Sequence, residues 1–356
     1  MRGAKLLIIS FSLIVFLGCK EQGGMFIGKS KFSLVFEQEY VMPSGEDPAL
    51  ELLPGSLVIN IIDTLLLAQH QLENPIYHWD VYSLNSLTYL KSILRNGRGP
   101  DEVLLADYEG QYEKINDEVW MYFLDLNSAR FLKINLNQSI QPGGDIIELV
   151  SYIAPQKAPY FIIDNETFMY SDHSRIEGSV SLMKSDHYLR NPVVYKKIYE
   201  EMAPNDYYKL RHYLLFNKKD RKVCLTPSYI NQIQIIDLEG NNDMVLSTAK
   251  SNDWETIRQE DVLSATVFYA GTGTRITDDL IFSLFINMKV GGEIPKETEI
   301  HIFNWVGDAI AKIRLADYII SFDVDMKNKI LYGLDKLERL YAYDISSCLD
   351  YAQKRL

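Results

Sequence analysis

The sequence predicts an all-β fold, a six-bladed β-propeller built from four-stranded blades. Three observations support this prediction. Short apolar runs alternate with polar turns along most of the chain, one kind of turn recurs six times at a spacing of about fifty residues, and the last repeat lacks one strand that the N-terminal region has in excess. A repeat of four short strands is typical of a propeller blade.

The apolar runs indicate strands rather than helices. From residue 32 onward they are five to eight residues long, rich in Ile, Val, Tyr and Phe, and separated by Asp- and Asn-containing turns. Long amphipathic helical patterns are scarce, and 247–263 is the best helix candidate. With 47% hydrophobic and 12% aromatic residues in 356 positions, the chain can fill a large core.

The recurring turn marks the start of each repeat. Asp and Asn suit a tight hairpin because they tolerate positive φ and hydrogen-bond their own backbone. A single such turn carries no weight, but six at spacings of 54, 48, 55, 58 and 50 residues indicate a repeat. The marker residues are Asp63, Asp117, Asn165, Asp220, Asp278 and Asn328.

Most repeats supply two further runs after the hairpin, which completes four strands per blade. These runs are 78–82 and 90–94 in the first repeat, 130–134 and 146–150 in the second, 232–237 and 244–246 in the fourth, and 299–303 and 310–313 in the fifth.

The last repeat predicts how the ring closes. Its runs are 319–324, 330–334 and 340–345, so it lacks a fourth strand, whereas 32–41 is a strand with no local partner. Pairing 32–41 with the last blade would remove two exposed sheet edges. We therefore expect a propeller over 32–346, closed by the N-terminal strand in the last blade, followed by a C-terminal tail at 347–356.

The N-terminus predicts export and a lipid anchor. Arg2 and Lys5 precede an apolar stretch, 6–17, which as a helix would be about 18 Å long, too short for the roughly 30 Å membrane core. We interpret 1–18 as a signal peptide. Phe16 to Cys19 resembles a bacterial lipobox, which implies lipidation of Cys19 and a flexible tether at 19–31. The alternative is an ordinary signal peptide with a coincidental cysteine.

Charge limits the classes of possible partner, and the cysteine content indicates the state of the thiols. The formal charge of −12 becomes −14 without the leader, which makes nucleic acid a poor partner and favours a covalent lipid over a basic membrane-binding patch. We expect anchoring in the cell envelope, at the outer membrane. Of the remaining cysteines, Cys224 and Cys348, free thiols are favoured over a disulfide. The sequence predicts no cofactor and no metal.

Two motifs suggest a family. The segment 96–103, Asn-Gly-Arg-Gly-Pro-Asp-Glu-Val, resembles the Gly-x-Gly-Pro-x-Glu-Phe turn of exported TolB-like and NHL-like propeller proteins that are abundant in Bacteroidetes. The segment 127–134 is similar to the Asn-x-Arg-Ile strand of NHL blades. The resemblance spans about 15–345, departs from the motif at Val103, and implies a six-bladed propeller. It implies little about function, because propellers host many unrelated activities.

Candidate site residues lie on loops that should share one face of the ring. These loops join second to third strands and one blade to the next. The polar and aromatic residues predicted to contact a ligand there are His70, Arg98, Asp101, Glu102, Asp172, His173, Arg175, Tyr229 and Trp254. The alternatives are solvated loops, a structural turn at 97–100, and a capping helix around Trp254. We find no nucleophile elbow, metal motif or other catalytic set.

Two functions remain open. The favoured hypothesis is a membrane-anchored binding or interaction module that holds a glycan, a peptide or an envelope protein. The alternative is a propeller hydrolase or lyase with its site at the central channel.

Overall fold

The computed structural model describes residues 29–70, 75–153, 157–164, 167–172, 180–186, 192–199, 209–240, 242–249, 257 and 259–356. Within these residues, six sheets follow one another along the chain, and each is one blade of a ring. The predicted six-bladed propeller is therefore confirmed. No described helix has the length and apolar character that a membrane crossing requires.

The strands of each blade run from the channel outward in chain order. Blade 1 contains β3 (Ser56–Ile62), β4 (Leu65–His70), β5 (Tyr77–Ser83) and β6 (Thr88–Arg95), and blade 2 contains β7 (Asp107–Ile115), β8 (Glu118–Asp125), β9 (Arg130–Asn135) and β10 (Ile147–Tyr152). Blade 3 contains β11 (Lys157–Asp164), β12 (Thr167–Asp172), β13 (Val180–Asp186) and β14 (Val193–Tyr199).

The second half of the ring departs from four strands per blade. Blade 4 contains β15 (His212–Asn217), β16 (Lys222–Pro227), β17 (Ile233–Asp237) and β18 (Met244–Leu246), and blade 5 contains β19 (Thr266–Ile276), β20 (Leu280–Lys289), β21 (Thr298–Asn304) and β22 (Ala309–Leu315). Each gains a fifth strand from the N-terminal region. Blade 6 has three strands, β23 (Ser321–Asp325), β24 (Ile330–Leu334) and β25 (Leu340–Asp344).

The N-terminal segment pairs differently from the prediction. β1 (Lys29–Lys31), which falls in the predicted tether, lies parallel to β18 of blade 4. β2 (Gln38–Met42) lies parallel to β22 of blade 5 rather than in blade 6. Blade 6 receives only a single bridge between Glu46 and Ala342. The predicted closure by a complete strand in the last blade is wrong in this detail, although the segment does cover the outer edges of two blades.

Side-chain packing between blades 6 and 1 closes the ring instead. The backbone N–H of Ile59 donates to Ser321 Oγ at 3.1 Å, and that of Ile61 donates to Asp323 Oδ2 at 2.7 Å. Leu66 and Leu334 belong to one apolar cluster that joins these two blades. Five further clusters join the other neighbouring pairs, so each blade packs on the next through alternate residues of its strands.

Two short helices are described. The helix α1 (Leu136–Ser139) begins after Asn135, whose side chain accepts the backbone N–H of Gln138. The predicted C-terminal tail is instead the helix α2 (Ser346–Gln353), which buries Cys348, Leu349 and Ala352 against blades 5 and 6.

The marker turns lie where the repeat predicts them, between the first and second strands of the blades. Asp63, Asn116 and Asp117 have positive φ, as the choice of Asp and Asn indicates. Asn165 lies outside the described residues, but the strands flanking it, β11 and β12, are paired. We call the side of the ring that carries these turns the hairpin face and the opposite side the loop face.

Candidate functional site

A cavity of about 1150 Å³ occupies the centre of the ring. Its walls are the first strands of five blades, β3, β7, β15, β19 and β23. It reaches from Asp107 near the loop face to Lys327 near the hairpin face. A cavity of this size accommodates a small organic ligand.

Two inner strands contain bulges. In β7 the three residues 109–111 oppose the single residue Tyr122 of β8, and in β19 the four residues 270–273 oppose Leu284 of β20. The bulge in β7 contributes all three of its residues to the lining of the cavity. Bulges re-aim side chains and are over-represented next to binding and catalytic sites.

The bulge in β7 brings two non-neighbouring blades into contact. Gly110 has φ +74°, and a Cβ atom there would lie 2.3 Å from Cδ2 of Leu215 in β15. The side-chain amide of Gln111 next to it exchanges two hydrogen bonds with the backbone of Ile162 in β11, at 2.8 and 2.9 Å. Blades 2 and 4 therefore meet in front of blade 3, none of whose described residues lines the cavity.

Glu109 is the side chain that the bulge presents to the cavity. It accepts no hydrogen bond and forms no ion pair within the described part of the chain. Glu109 is half-buried, and the cavity leaves part of its surface accessible. This burial, together with the neighbouring Asp107, raises the pKa of Glu109 well above 4.5. Unpaired acids with raised pKa values are concentrated in functional sites.

Asp107 and two residues of blade 4 surround Glu109. Gln69 Nε2 lies 3.4 Å from Asp107 Oδ1 and 2.8 Å from the carbonyl oxygen of Ala106. Burial raises the pKa of Asp107, whereas Gln69 and the Arg211 guanidinium oppose that rise. Burial also raises the pKa of the Tyr213 hydroxyl, which Arg211 opposes by its charge and by a hydrogen bond. The loop-face half of the cavity thus contains two acids, one arginine and a tyrosine.

The middle of the cavity contains a buried ion pair. Arg275 Nε lies 3.2 Å from Asp323 Oδ2, and Arg275 Nη2 donates to the carbonyl oxygen of Ile59 at 2.8 Å. Burial raises the pKa of Asp323, and Arg275 opposes this rise. Because these residues belong to blades 5, 6 and 1, the pair also contributes to ring closure. Tyr108 lies near the pair.

The hairpin-face end of the cavity is lined by paired charges. Lys114 Nζ lies 2.6 Å from Asp63 Oδ1, and Lys218, Asp278 and Lys327 also line this mouth. These side chains partly neutralise one another. The acid-rich loop-face half is therefore the better candidate for ligand recognition.

Among the residues that the structure describes, none of the loop positions predicted from the sequence lines the cavity. His70 Nε2 lies 2.6 Å from the buried Asp80 Oδ2, which orients the imidazole within blade 1. Glu102 accepts the N–H of Gly99 at 2.8 Å and so closes the 97–102 turn. Arg98 and Asp101 are exposed. A ligand contact at any of these positions remains a prediction.

The other predicted residues are more dispersed. Asp172 ends β12, and Tyr229 lies half-buried between β16 and β17. His173, Arg175 and Trp254 lie outside the described residues, as do eight of the seventeen residues of the helix candidate 247–263. Within the described ranges, no group of three or more His, Cys, Asp or Glu side chains is arranged to hold a metal ion.

Loop-based reasoning missed Glu109, Arg211 and Tyr213. One signal was available for the first of them. Along 107–113, Asp, Glu, Gln and Glu occupy every second position, which indicates a strand with one polar face. In an inner strand of a propeller, such a face lines the channel or a neighbouring blade.

Comparisons with known proteins agree with this architecture. The family described as TolB-like 6-blade propeller-like matches residues 57–327. The solved structure of a member of the DUF4221 family from Bacteroides vulgatus is similar, with 12% sequence identity and a TM-score of 0.52. The alignment covers 84% of this chain and 94% of that chain. No match is found among curated proteins.

Two further solved structures are similar at lower TM-scores. A protein from Bacteroides fragilis that is described as exported is 13% identical, with 91% of this chain and 82% of that chain covered and a TM-score of 0.43. The calcium-binding protein regucalcin from Agrobacterium tumefaciens is 8% identical, with 86% and 94% covered and a TM-score of 0.45.

Proposed function

The chain belongs to the family of TolB-like six-bladed propellers, and we propose that it is a binding module of the bacterial cell envelope that holds a small polar ligand in its central cavity. The ligand enters from the loop face. Glu109, Asp107, Arg211 and Tyr213 contact it there. In this proposal the ligand is recognised inside the channel and not on the surface formed by the loops.

The observation that carries this proposal is Glu109 itself. Enclosing a carboxyl group without a partner opposes folding, because the ionised form loses its hydration. The chain reaches this arrangement through a bulge with a positive-φ glycine, Gly110. A ligand that donates to Glu109 offsets this cost. Local destabilisation of this kind is expected at binding sites and not at purely structural positions.

Access from the loop face agrees with the path of the N-terminal segment. The N–H of Lys29 donates to the carbonyl oxygen of Asp243 at 2.8 Å, and Leu238 in the same turn donates to Arg221 of the blade 4 hairpin at 3.0 Å. The chain therefore joins the ring at the rim of the hairpin face. The ten residues from Cys19 to Lys29 span at most about 36 Å. A lipid at Cys19 would hold the hairpin face near the membrane and leave the loop face open.

Calorimetry and thermal unfolding of residues 20–356 test the cavity. A panel of neutral oligosaccharides, amino sugars and short peptides is titrated into the wild type, Glu109→Gln and Asp101→Asn. We expect at least one class to bind, with an affinity about tenfold or more lower in Glu109→Gln and unchanged in Asp101→Asn, because a hydrogen bond to a charged group contributes about 1.5–3 kcal/mol. Binding that depends on Asp101 and not on Glu109 would place the site on the loops.

The lipid anchor is tested separately. We expect the full-length chain in a bacterial host to incorporate labelled palmitate and to fractionate with membranes, and Cys19→Ser to lose both properties. Release of an unlipidated wild-type protein would favour an ordinary signal peptide.

A hydrolase or lyase is the second candidate, and the raised pKa values of Glu109 and Asp107 favour it. A carboxyl group whose pKa is raised can act as a general acid. Turnover of glycans, esters or peptides by the wild type, lost in Glu109→Gln but retained in Asp101→Asn, would establish this alternative over simple binding.

A further inference from the structure

One wall of the loop-face mouth is acidic. Asp107 and Glu109 both project from β7 into the cavity. Among the described residues, Glu109 has no hydrogen-bond or ion-pair partner, and Gln69, at 3.4 Å, is the only one whose side chain lies within hydrogen-bond distance of the Asp107 carboxylate. This wall therefore retains the capacity to accept several hydrogen bonds from a donor such as an ammonium group.

The facing wall carries one cation. Arg211 immediately precedes β15, lines the cavity, and is exposed. It forms no ion pair with any described residue, although its charge acts on both Asp107 and Tyr213. Its guanidinium is thus close enough to Asp107 for mutual attraction, but it does not contact the carboxylate. A planar guanidinium of this kind binds a carboxylate with two parallel hydrogen bonds.

The separation between the two walls is fixed. The contact of Gly110 with Leu215 holds β7 against β15 directly behind the charged residues. Gln111 fixes the same part of β7 to Ile162. These contacts hold β7 and β15 in place before a ligand arrives, so little conformational entropy of the two strands is lost when a ligand binds between their charged residues.

We infer that the loop-face mouth recognises a zwitterion, specifically a short peptide with a free amino terminus and a free carboxyl terminus. The ammonium group donates to Glu109 and Asp107, and the carboxylate accepts from Arg211 and the Tyr213 hydroxyl. This inference rests on the proposed binding function and specifies its ligand.

Other ligand charges leave part of the site unpaired. A neutral sugar would exclude water from Glu109 and Arg211 but would offer neither of them an opposite charge. Unpaired charges in an enclosed site lower the affinity, because their lost hydration is not replaced. A simple anion would meet two carboxyl groups, and a simple cation would leave Arg211 unpaired. The cavity of about 1150 Å³ exceeds what a free amino acid fills, and Tyr108 and Tyr112 further along β7 offer apolar area for side chains. A di- or tripeptide is the better match.

Blocked dipeptides test the inference by calorimetry. The probes are L-alanyl-L-alanine, its N-acetyl derivative, its C-terminal amide, and maltose as a neutral sugar. For the wild type we expect the free dipeptide to bind, each blocked form to bind about tenfold or more weakly, and maltose not to bind. Equal affinity for the free and blocked forms would overturn the inference.

Variants assign each terminus to its wall. Glu109→Gln should weaken binding of the free dipeptide and leave the affinity for the N-acetyl form unchanged. Arg211→Gln should weaken binding of the free dipeptide and leave the affinity for the amide unchanged. Arg98→Gln and Asp101→Asn, on the same face but outside the cavity, serve as controls. Tyr213→Phe provides a second variant of the cationic wall if Arg211→Gln does not fold, as checked by thermal unfolding.

The outcomes separate this inference from the proposed function. If maltose binds in a Glu109-dependent manner and the dipeptides do not bind, the zwitterion inference is wrong while the cavity remains a binding site. If Glu109→Gln changes the binding of neither the dipeptides nor maltose, and no compound of the wider panel binds to the protein, both proposals are wrong.

Discussion

Gly110 in blade 2 and Leu215 in blade 4 are in contact across the propeller channel, at a distance that admits no Cβ atom at position 110. The two blades are not neighbours in the ring, so this contact crosses in front of blade 3. It holds β7, which carries Glu109, against β15, which follows Arg211, at the wall of the cavity. The positive φ of Gly110 and the absence of its side chain are both necessary for this arrangement.

Gly110→Ala should destabilise the protein by about 2–5 kcal/mol. The positive φ contributes about 1–2 kcal/mol for a residue with a Cβ atom, and displacement of Leu215 adds roughly 1–3 kcal/mol. Urea unfolding measures the change. Leu215→Ala alone leaves a void, because Leu215 is buried. The double variant should lose less stability than the sum of the two single variants, and strict additivity would show that the contact has no energetic role.

Glu109→Gln should stabilise the ligand-free protein, and more so at high pH. The folded-state pKa of Glu109 is raised by burial, so its contribution to stability is complete below the unfolded-state pKa and is lost as the pH rises through the folded-state value. Glutamine does not titrate. We expect the melting temperature of Glu109→Gln to exceed that of the wild type by a few degrees at pH 8 (about 2–4 °C per kcal/mol) and the difference to shrink towards pH 4.5. A pH-independent difference would contradict this, with Asp101→Asn as the baseline.

Arg275→Met should weaken ring closure by about 3–5 kcal/mol at pH 7, because it leaves the buried Asp323 without its counter-charge. The loss should be smaller at pH 5, since Asp323 is then more readily protonated. Arg314→Met, which removes a half-exposed partner of Glu39 at the rim of blade 5, should cost no more than about 1 kcal/mol. Urea unfolding of both variants measures the two losses of stability. Equal losses would show that the Arg275–Asp323 pair contributes no more than an exposed ion pair.

Cys224 and Cys348 should resist alkylation in the native protein. Both are buried free thiols, and burial raises the pKa of each to about 12. The thiolate is the reactive form, so iodoacetamide at pH 8 should modify neither residue of a 20–356 variant until denaturant is added, when both react. Mass spectrometry counts the adducts. Rapid native labelling of Cys348 would show that α2 detaches from blades 5 and 6.

The strands, their hairpins and the number of blades were predictable because they depend on local patterns. Asp63 and Asp117 mark tight turns through their own conformational preferences, and the runs between the turns alternate or remain apolar over strand lengths. The inference that loops share one face also holds, as the contact of Gln69 in blade 1 with Asp107 in blade 2 illustrates.

The residues that line the cavity were harder to predict from the sequence. Glu109 lies in the one-sided polar pattern of 107–113, but its exposure to the cavity depends on a bulge opposite Tyr122. A bulge changes the direction of a side chain without changing composition. The significance of Arg211 depends on the approach of β15 to β7, which involves residues more than a hundred positions apart.

Local sequence patterns specify the repeating strands, the turns between them and therefore a six-bladed ring. The tertiary structure alone decided where the N-terminal segment pairs, because every outer strand offers the same backbone hydrogen-bonding groups and only distant side chains distinguish the edges. Lys31 donates to the carbonyl oxygens of Val306 and Gly307 at 3.2 and 3.0 Å, and Glu37 accepts the hydroxyl of Tyr351 at 2.7 Å, so side chains of the segment are fixed on blade 5 and on α2.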